Sequence, residues 1–220
     1  MNQIDLLIFD LDGTLIDSKL DLACAVNAAR AHAGMGPLEN ETVYSYVGEG
    51  APVLIRRALG PGAAEGQVQD ALEFFLAYYN EHLVDHTVLY PGVRETLARL
   101  TSAGVKMAVL TNKPVRMSRL IVEALGVGGH FERVYGGNSF EQKKPHPIGV
   151  ETLMAECHAD RERTMMVGDS AVDIRTARNA RVHCCGVTYG FQPETLADDP
   201  PDLVVDRIEE LVDWALSRTG

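Results

Sequence analysis

The 220-residue chain has only four cysteines, Cys24, Cys157, Cys184 and Cys185. No two form a C-x-x-C pair and no histidine set accompanies them, so neither a zinc site nor a disulfide framework is expected. The thiols read as reduced, partly buried groups. Long apolar runs are also missing. No stretch reaches the ~18 uncharged apolar residues of a membrane span. The N-terminal segment lacks a basic leader, and Asp5, Asp10 and Asp12 break its apolar run. No signal peptide is therefore expected, and a cytoplasmic protein is. Positive charge is scarce: 20 Lys and Arg against 31 Asp and Glu leave a formal net charge of −11. Such a chain repels phosphate backbones, which argues against nucleic-acid binding. The argument weakens for a small phosphorylated metabolite, because one local cation can override the global field.

What is present is the balance of an ordinary globular protein, 46% apolar and 23% charged residues. The length suits one large domain or one domain with an insertion. Ile4 to Phe9 is a nearly continuous apolar run, a buried strand that ends in Asp10-Leu11-Asp12-Gly13-Thr14. Helical spacing follows. Leu22, Val26 and Ala29 share one face before Gly34-Met35-Gly36-Pro37 stops the helix. Leu72, Phe75, Leu76, Tyr79 and Leu83 form another amphipathic face. From about residue 17 to about 85 no strand is expected.

From Tyr90-Pro91-Gly92 onward, short apolar strands alternate with helices. Strands are predicted at 105–110, 133–135, 164–167, 182–187 and 203–205, and helices at 93–100, 115–125, 147–157, 171–180 and 208–216. This alternation predicts an α/β fold, a doubly wound parallel sheet covered on both faces. Its core is residues 1–16 and 86–220, and residues 17–85 form an inserted α-helical cap.

In an open parallel sheet the ligand site lies beyond the carboxyl ends of the strands. Asp10 and Asp12, Thr111-Asn112, Lys143-Lys144-Pro145, and Gly168-Asp169-Ser170 with Asp173 all fall at or near that rim. Clustered carboxylates repel one another unless a cation binds them, and a hard oxygen site of this kind suits Mg²⁺. A lysine neutralises a phosphate as a point charge, while a hydroxyl and an amide bind its other oxygens. One carboxylate is then placed to attack phosphorus, and a second, two residues on, to handle the leaving-group proton. Gly13 permits the tight turn between them.

Taken together, these four segments resemble, in order, the four motifs of the haloacid dehalogenase-like superfamily. The resemblance implies an α/β Rossmann-like core and an enzyme using Mg²⁺. It makes Asp10 the nucleophile and a metal ligand. Asp12 becomes the general acid/base and gives a backbone oxygen to the metal. Thr111 and Lys144 hold the phosphoryl group, Asp169 is a metal ligand and Asp173 supports the metal site. Asp12 also implies a phosphatase or phosphomutase, since haloacid dehalogenases lack an aspartate there. Tyr90-Pro91-Gly92-Val93, Lys144-Pro145-His146-Pro147 and Gly186-Val187-Thr188-Tyr189-Gly190 are similar to segments of phosphoglycolate phosphatases. So is the cap segment Val47-Gly48-Glu49-Gly50-Ala51, which lacks the arginine of β-phosphoglucomutases.

The implied reaction is hydrolysis of 2-phosphoglycolate through an aspartyl phosphate. A sugar phosphate such as N-acetylmuramic acid 6-phosphate is an alternative substrate. From another class, a phospho-aspartate signalling switch uses similar residues, but Asp12 and a cap of roughly 70 residues argue against it. A substrate carboxylate would need a partner from the cap. Arg56 and Arg57 are the candidates, with Gly48, Glu49 and Gly50 as a cap loop facing the site. Gly48-Glu49-Gly50 also begins like a dinucleotide fingerprint, but Val53 occupies the third glycine position and no strand precedes it. His82 and His86 have metal-like spacing without a partner signature and read as surface residues. A monomer or homodimer is expected.

Overall fold

The computed structural model describes residues 4–216. Residues 1–3 and 217–220 of the expected core lie outside them. The chain opens with β1 (Leu6–Phe9) and β2 (Ile16–Asp17). Four helices follow: α1 (Lys19–His32), α2 (Asn40–Tyr44), α3 (Ala51–Leu59) and α4 (Glu65–Glu81). Then come β3 (Val88–Leu89), α5 (Val93–Ser102), β4 (Lys106–Leu110), α6 (Val115–Ala124) and β5 (Arg133–Tyr135). The remainder is α7 (Ile148–Cys157), β6 (Thr164–Gly168), α8 (Ala171–Ala180), β7 (His183–Val187), β8 (Leu203–Val205) and α9 (Glu210–Leu216).

Six strands form one parallel sheet in the order β5-β4-β1-β6-β7-β8. The expected α/β fold, a doubly wound parallel sheet, is the observed one. β1 lies between β4 and β6, where the strand order reverses, so loops after three strands converge beyond its carboxyl end. The continuous apolar run of β1 follows from this central position. Leu7 and Phe9 pack into the core that holds Val93, Leu97 and Ile121. Leu6 and Ile8 face the opposite layer with Val150, Leu153 and Ile174. Side chains alternate between faces along a strand, so a strand covered on both sides must be apolar at every position.

The helical segment α1–α4 leaves and returns through a two-stranded antiparallel ribbon, with Ile16 opposite Leu89 and Asp17 opposite Val88. This ribbon departs from the sequence reading, because two-residue strands are too short to display a period of two. On α4 the buried face is Val68, Ala71, Phe75 and Tyr79, while Leu72 and Leu76 are only half-buried. The last helix begins at Glu210, two residues after the Ile208 start expected. No helix of the described residues is long and apolar enough to cross a membrane.

Candidate active site

Asp10 directly follows β1, and its N–H continues the ladder to the Val167 carbonyl at 2.9 Å. Asp169 and Ser170 follow β6. Ser170 caps α8, and its N–H and hydroxyl donate to Asp173 Oδ2 at 3.2 and 2.8 Å. Asp173 is thus both a first-turn residue and part of the site, for its Oδ1 accepts from Lys144 Nζ at 2.7 Å. Asp10, Asp169 and Asp173 each offer one oxygen within 4.8 Å of the others.

Asp169 is gripped from several sides. The N–H groups of Phe191 and Gln192 donate to its Oδ2 at 2.6 and 3.3 Å, and the Thr14 hydroxyl lies 3.5 Å from Oδ1. Gly13 has φ +84°, and a Cβ there would sit 2.3 Å from Asp169 Oδ2. Gly190 presses on the same residue, its virtual Cβ 2.2 Å from that of Asp169 and 2.6 Å from the Gly13 carbonyl. Glycine is therefore needed at Gly13 for conformation and at both positions for space.

Lys144 is buried, with Nζ 2.9 Å from Asp10 Oδ1 and 2.7 Å from Asp173 Oδ1. The buried Asp10 oxygen is thus held by its ion pair with Lys144. Burial raises the Asp10 carboxyl to about 6, with Lys144 opposing and Asp173 adding to the shift. Burial, reinforced by the charges of Asp173 and Asp10, raises Asp169 to about 8. Burial works against charge on Lys144 too, but Asp10 and Asp173 outweigh it and hold the ammonium above its ordinary value. Three converging carboxyls, two of which resist ionisation, fit a hard divalent cation such as Mg²⁺.

Thr111 and Asn112 follow β4 and are buried. The Asn112 amide donates to the carbonyls of Gly48 and Lys144 at 3.1 and 3.2 Å, so it ties the inserted segment to the Lys144 loop. Both N–H groups of its side chain are thereby committed, so the side-chain amide has none left for the phosphate oxygen it was expected to bind. Gly48 and Gly50 line a small cavity of about 50 Å³ together with Asp10, Asp12, Thr111 and Asp169. Glu49 does not: its carboxylate pairs with Arg57 on the surface, and its carbonyl accepts from Lys143. Arg56 and Arg57 also depart from expectation. Arg56 pairs with Glu65 at 2.6 Å, both side chains are more than half exposed, and neither arginine lines the cavity. The amphipathic α3 buries Leu54 and Ile55, which turns Arg56 and Arg57 outward.

The residue that sequence reasoning missed is Lys113. Its Nζ lies 2.9 and 3.0 Å from the Asp12 oxygens and 2.7 Å from the Tyr79 hydroxyl, which α4 supplies. Asp12 also accepts from Ser18 Oγ at 2.5 Å. In the sequence Lys113 is one lysine before a proline. Its only signal is that it extends the polar Thr111-Asn112 pair at a strand end.

The family model for haloacid dehalogenase-like hydrolases matches residues 7–187. A protein of Pseudomonas fluorescens named phosphoglycolate phosphatase is 41% identical over 98% of this chain and 81% of its own length. One of the same name from Colwellia psychrerythraea is 37% identical over 96% of this chain and 97% of its own. The crystal structure of a predicted phosphoglycolate phosphatase from Haemophilus somnus superposes with a TM-score of 0.91 at 33% identity, covering 97% of this chain and 99% of that one. The chain therefore belongs to the haloacid dehalogenase-like hydrolase family and is a phosphoric monoester hydrolase within it.

Proposed function

We propose that the enzyme removes phosphate from 2-phosphoglycolate with Mg²⁺, by way of a phosphoryl group carried on Asp10. The observation that carries this reading is the convergence of Asp10, Asp12, Thr111 and Asp169 on one small cavity, with Lys144 behind Asp10 at 2.9 Å and paired to Asp173 outside the lining. Asp10 is the nucleophile. Asp12, held by Ser18 and Lys113, gives a proton to the leaving oxygen and later takes one from the attacking water. Lys144 and Thr111 bind the transferring group. Asp10 and Asp169 would hold Mg²⁺, with Asp173 beside them and the Asp12 carbonyl completing the set. Bound there, the ion would offset the charge of the carboxylates and of the phosphate. Asp173 keeps Lys144 aimed at Asp10.

Helices α1–α4 act as a cap that excludes water from this floor. The names of the relatives at 37–41% identity support 2-phosphoglycolate as the substrate.

The test is phosphate release from a panel of esters, including 2-phosphoglycolate and sugar phosphates, with Mg²⁺ and with EDTA. Preference for 2-phosphoglycolate, loss in EDTA and a fall of at least about a thousandfold in Asp10→Asn are expected. A preference for sugar phosphates would overturn the substrate. Phosphate retained on the protein without turnover would point to a signalling switch.

A further inference from the structure

Among the described residues that line the cavity, Lys113 is the sole cation. The remaining walls are carboxylates, apolar groups such as Leu22, Leu54, Phe75 and Met117, and neutral polar residues, of which the Asn112 and Gln192 amides already donate to backbone carbonyls. A second negative group on a substrate would meet Asp10, Asp12 and Asp169 at close range, and in a site of low polarity such repulsion is severe unless a cation answers it. The expected cap arginines are elsewhere, Arg56 and Arg57 being engaged on the surface with Glu65 and Glu49.

Position matters as much as charge. Lys113 Nζ is 2.9 Å from Asp12, the group that faces the leaving oxygen. A carboxylate one carbon beyond the ester oxygen would therefore reach the ammonium while its phosphoryl group sits at Asp10. Asp12 keeps the Ser18 hydroxyl as a partner when the ammonium turns to substrate. Tyr79 accepts a hydrogen bond from Lys113, and its own O–H proton has no acceptor among the described residues. An ammonium from the sheet rim and a phenol from α4 thus present donors to the same point.

We propose that Lys113, assisted by the Tyr79 hydroxyl, is the seat of the substrate's carboxylate and sets the preference for α-carboxylated phosphate esters. The assignment rests on the phosphatase reading above and adds the specificity group to it. One donor comes from the helical insertion and one from the core, and the two already meet at 2.7 Å, so a substrate carboxylate seated there touches both.

The holoenzyme with Mg²⁺ is assayed on 2-phosphoglycolate and on ethyl phosphate, which has the same number of carbons and no carboxylate. Lys113→Met is expected to lower the ratio of kcat/KM for the two esters at least about tenfold, mainly through KM for 2-phosphoglycolate. Lys113→Arg should hold the ratio within about threefold, and Tyr79→Phe should fall between. Lys113→Met also strips a partner from Asp12 and lowers turnover of both esters, so binding of each ester to Asp10→Asn, with and without Lys113→Met, is measured by calorimetry. A loss of about tenfold or more confined to 2-phosphoglycolate supports the assignment. Equal losses on both esters, no loss, or no binding of 2-phosphoglycolate to Asp10→Asn would overturn it. Absence of phosphate release from any ester by the intact enzyme would instead reject the phosphatase reading, and the binding comparison would still decide the role of Lys113.

Discussion

At the residue scale, the site is built by crowding. Asp169 is held by two backbone N–H groups from the loop after β7 and packed against Gly13 and Gly190. A methyl group at Gly13 has no room, and φ +84° is strained for any side chain. Gly13→Ala is therefore expected to push the Asp169 carboxyl out of place and to raise the Mg²⁺ concentration for half-maximal phosphate release at least about tenfold. A Mg²⁺ titration of activity checks this, and an unchanged midpoint would show that Asp169 is not a ligand. The same carboxyls would make binding of a metal there pH-dependent. With Asp10 raised to about 6 and Asp169 to about 8, protons occupy the site at low pH and must leave before a cation binds. Mg²⁺ affinity is expected to rise as pH goes from 6 to 8.5, by up to about tenfold per pH unit for each displaced proton. Calorimetric titration at several pH values would reveal a flat profile if the carboxyls were already ionised.

At the scale of elements, the joint between the sheet and the helical insertion depends on one buried carboxylate. Asp21 of α1 accepts from the N–H groups of His86 and Thr87, from the Thr87 hydroxyl at 2.7 Å and from His86 Nδ1 at 2.7 Å. It thereby fixes the strand that pairs with β2. Burial alone would raise the Asp21 carboxyl, but these hydrogen bonds outweigh it and hold it below its ordinary value of 3.8. A carboxyl lowered in the folded state stabilises the protein above the unfolded value and loses that contribution as pH falls through the folded one. Asp21→Asn is expected to cost about 2 kcal/mol at pH 7 in urea unfolding, and the gap from the parent should narrow below about pH 4. A gap independent of pH would mean that the ionised form plays no part.

The same elements explain what the sequence made legible. Long periodic runs such as α1 and α4, and strands covered on both faces such as β1, carry their pattern over enough residues to be read. The β2–β3 ribbon carries none, since two residues have no period. Motif segments at the ends of core strands were legible because a strand end fixes where the next few side chains go. Lys113 and Tyr79 were not, because their meeting depends on how α4 docks on the rim. Arg56 was misread for a related reason: the orientation of a nine-residue helix decides which side its basic residues take.

At the scale of the whole molecule, the −11 net charge and the carboxylate cluster act in the same direction. Asp10 and Asp169 hold their protons more tightly folded than unfolded. Their contribution to stability is fully present below the unfolded carboxyl value near 4 and is lost as pH rises through about 6 and about 8. Metal-free protein should therefore melt at lower temperature as pH rises from 5 to 8.5. A cation bound to these carboxyls only in the folded chain would join the end of β1 to the end of β6 and reverse this loss. At a Mg²⁺ concentration about a hundredfold above the dissociation constant the gain is about 2.7 kcal/mol, which for a chain of this size is on the order of 5–10 °C in Tm. The Mg²⁺-dependent increment should thus grow from pH 5 to pH 8.5 and vanish in Asp169→Asn, as followed by thermal unfolding with Mg²⁺ and with EDTA. An increment of equal size at every pH, or one that survives in Asp169→Asn, would place the stabilising ion elsewhere on the acidic surface, since only a site made of these buried carboxyls releases protons when it fills.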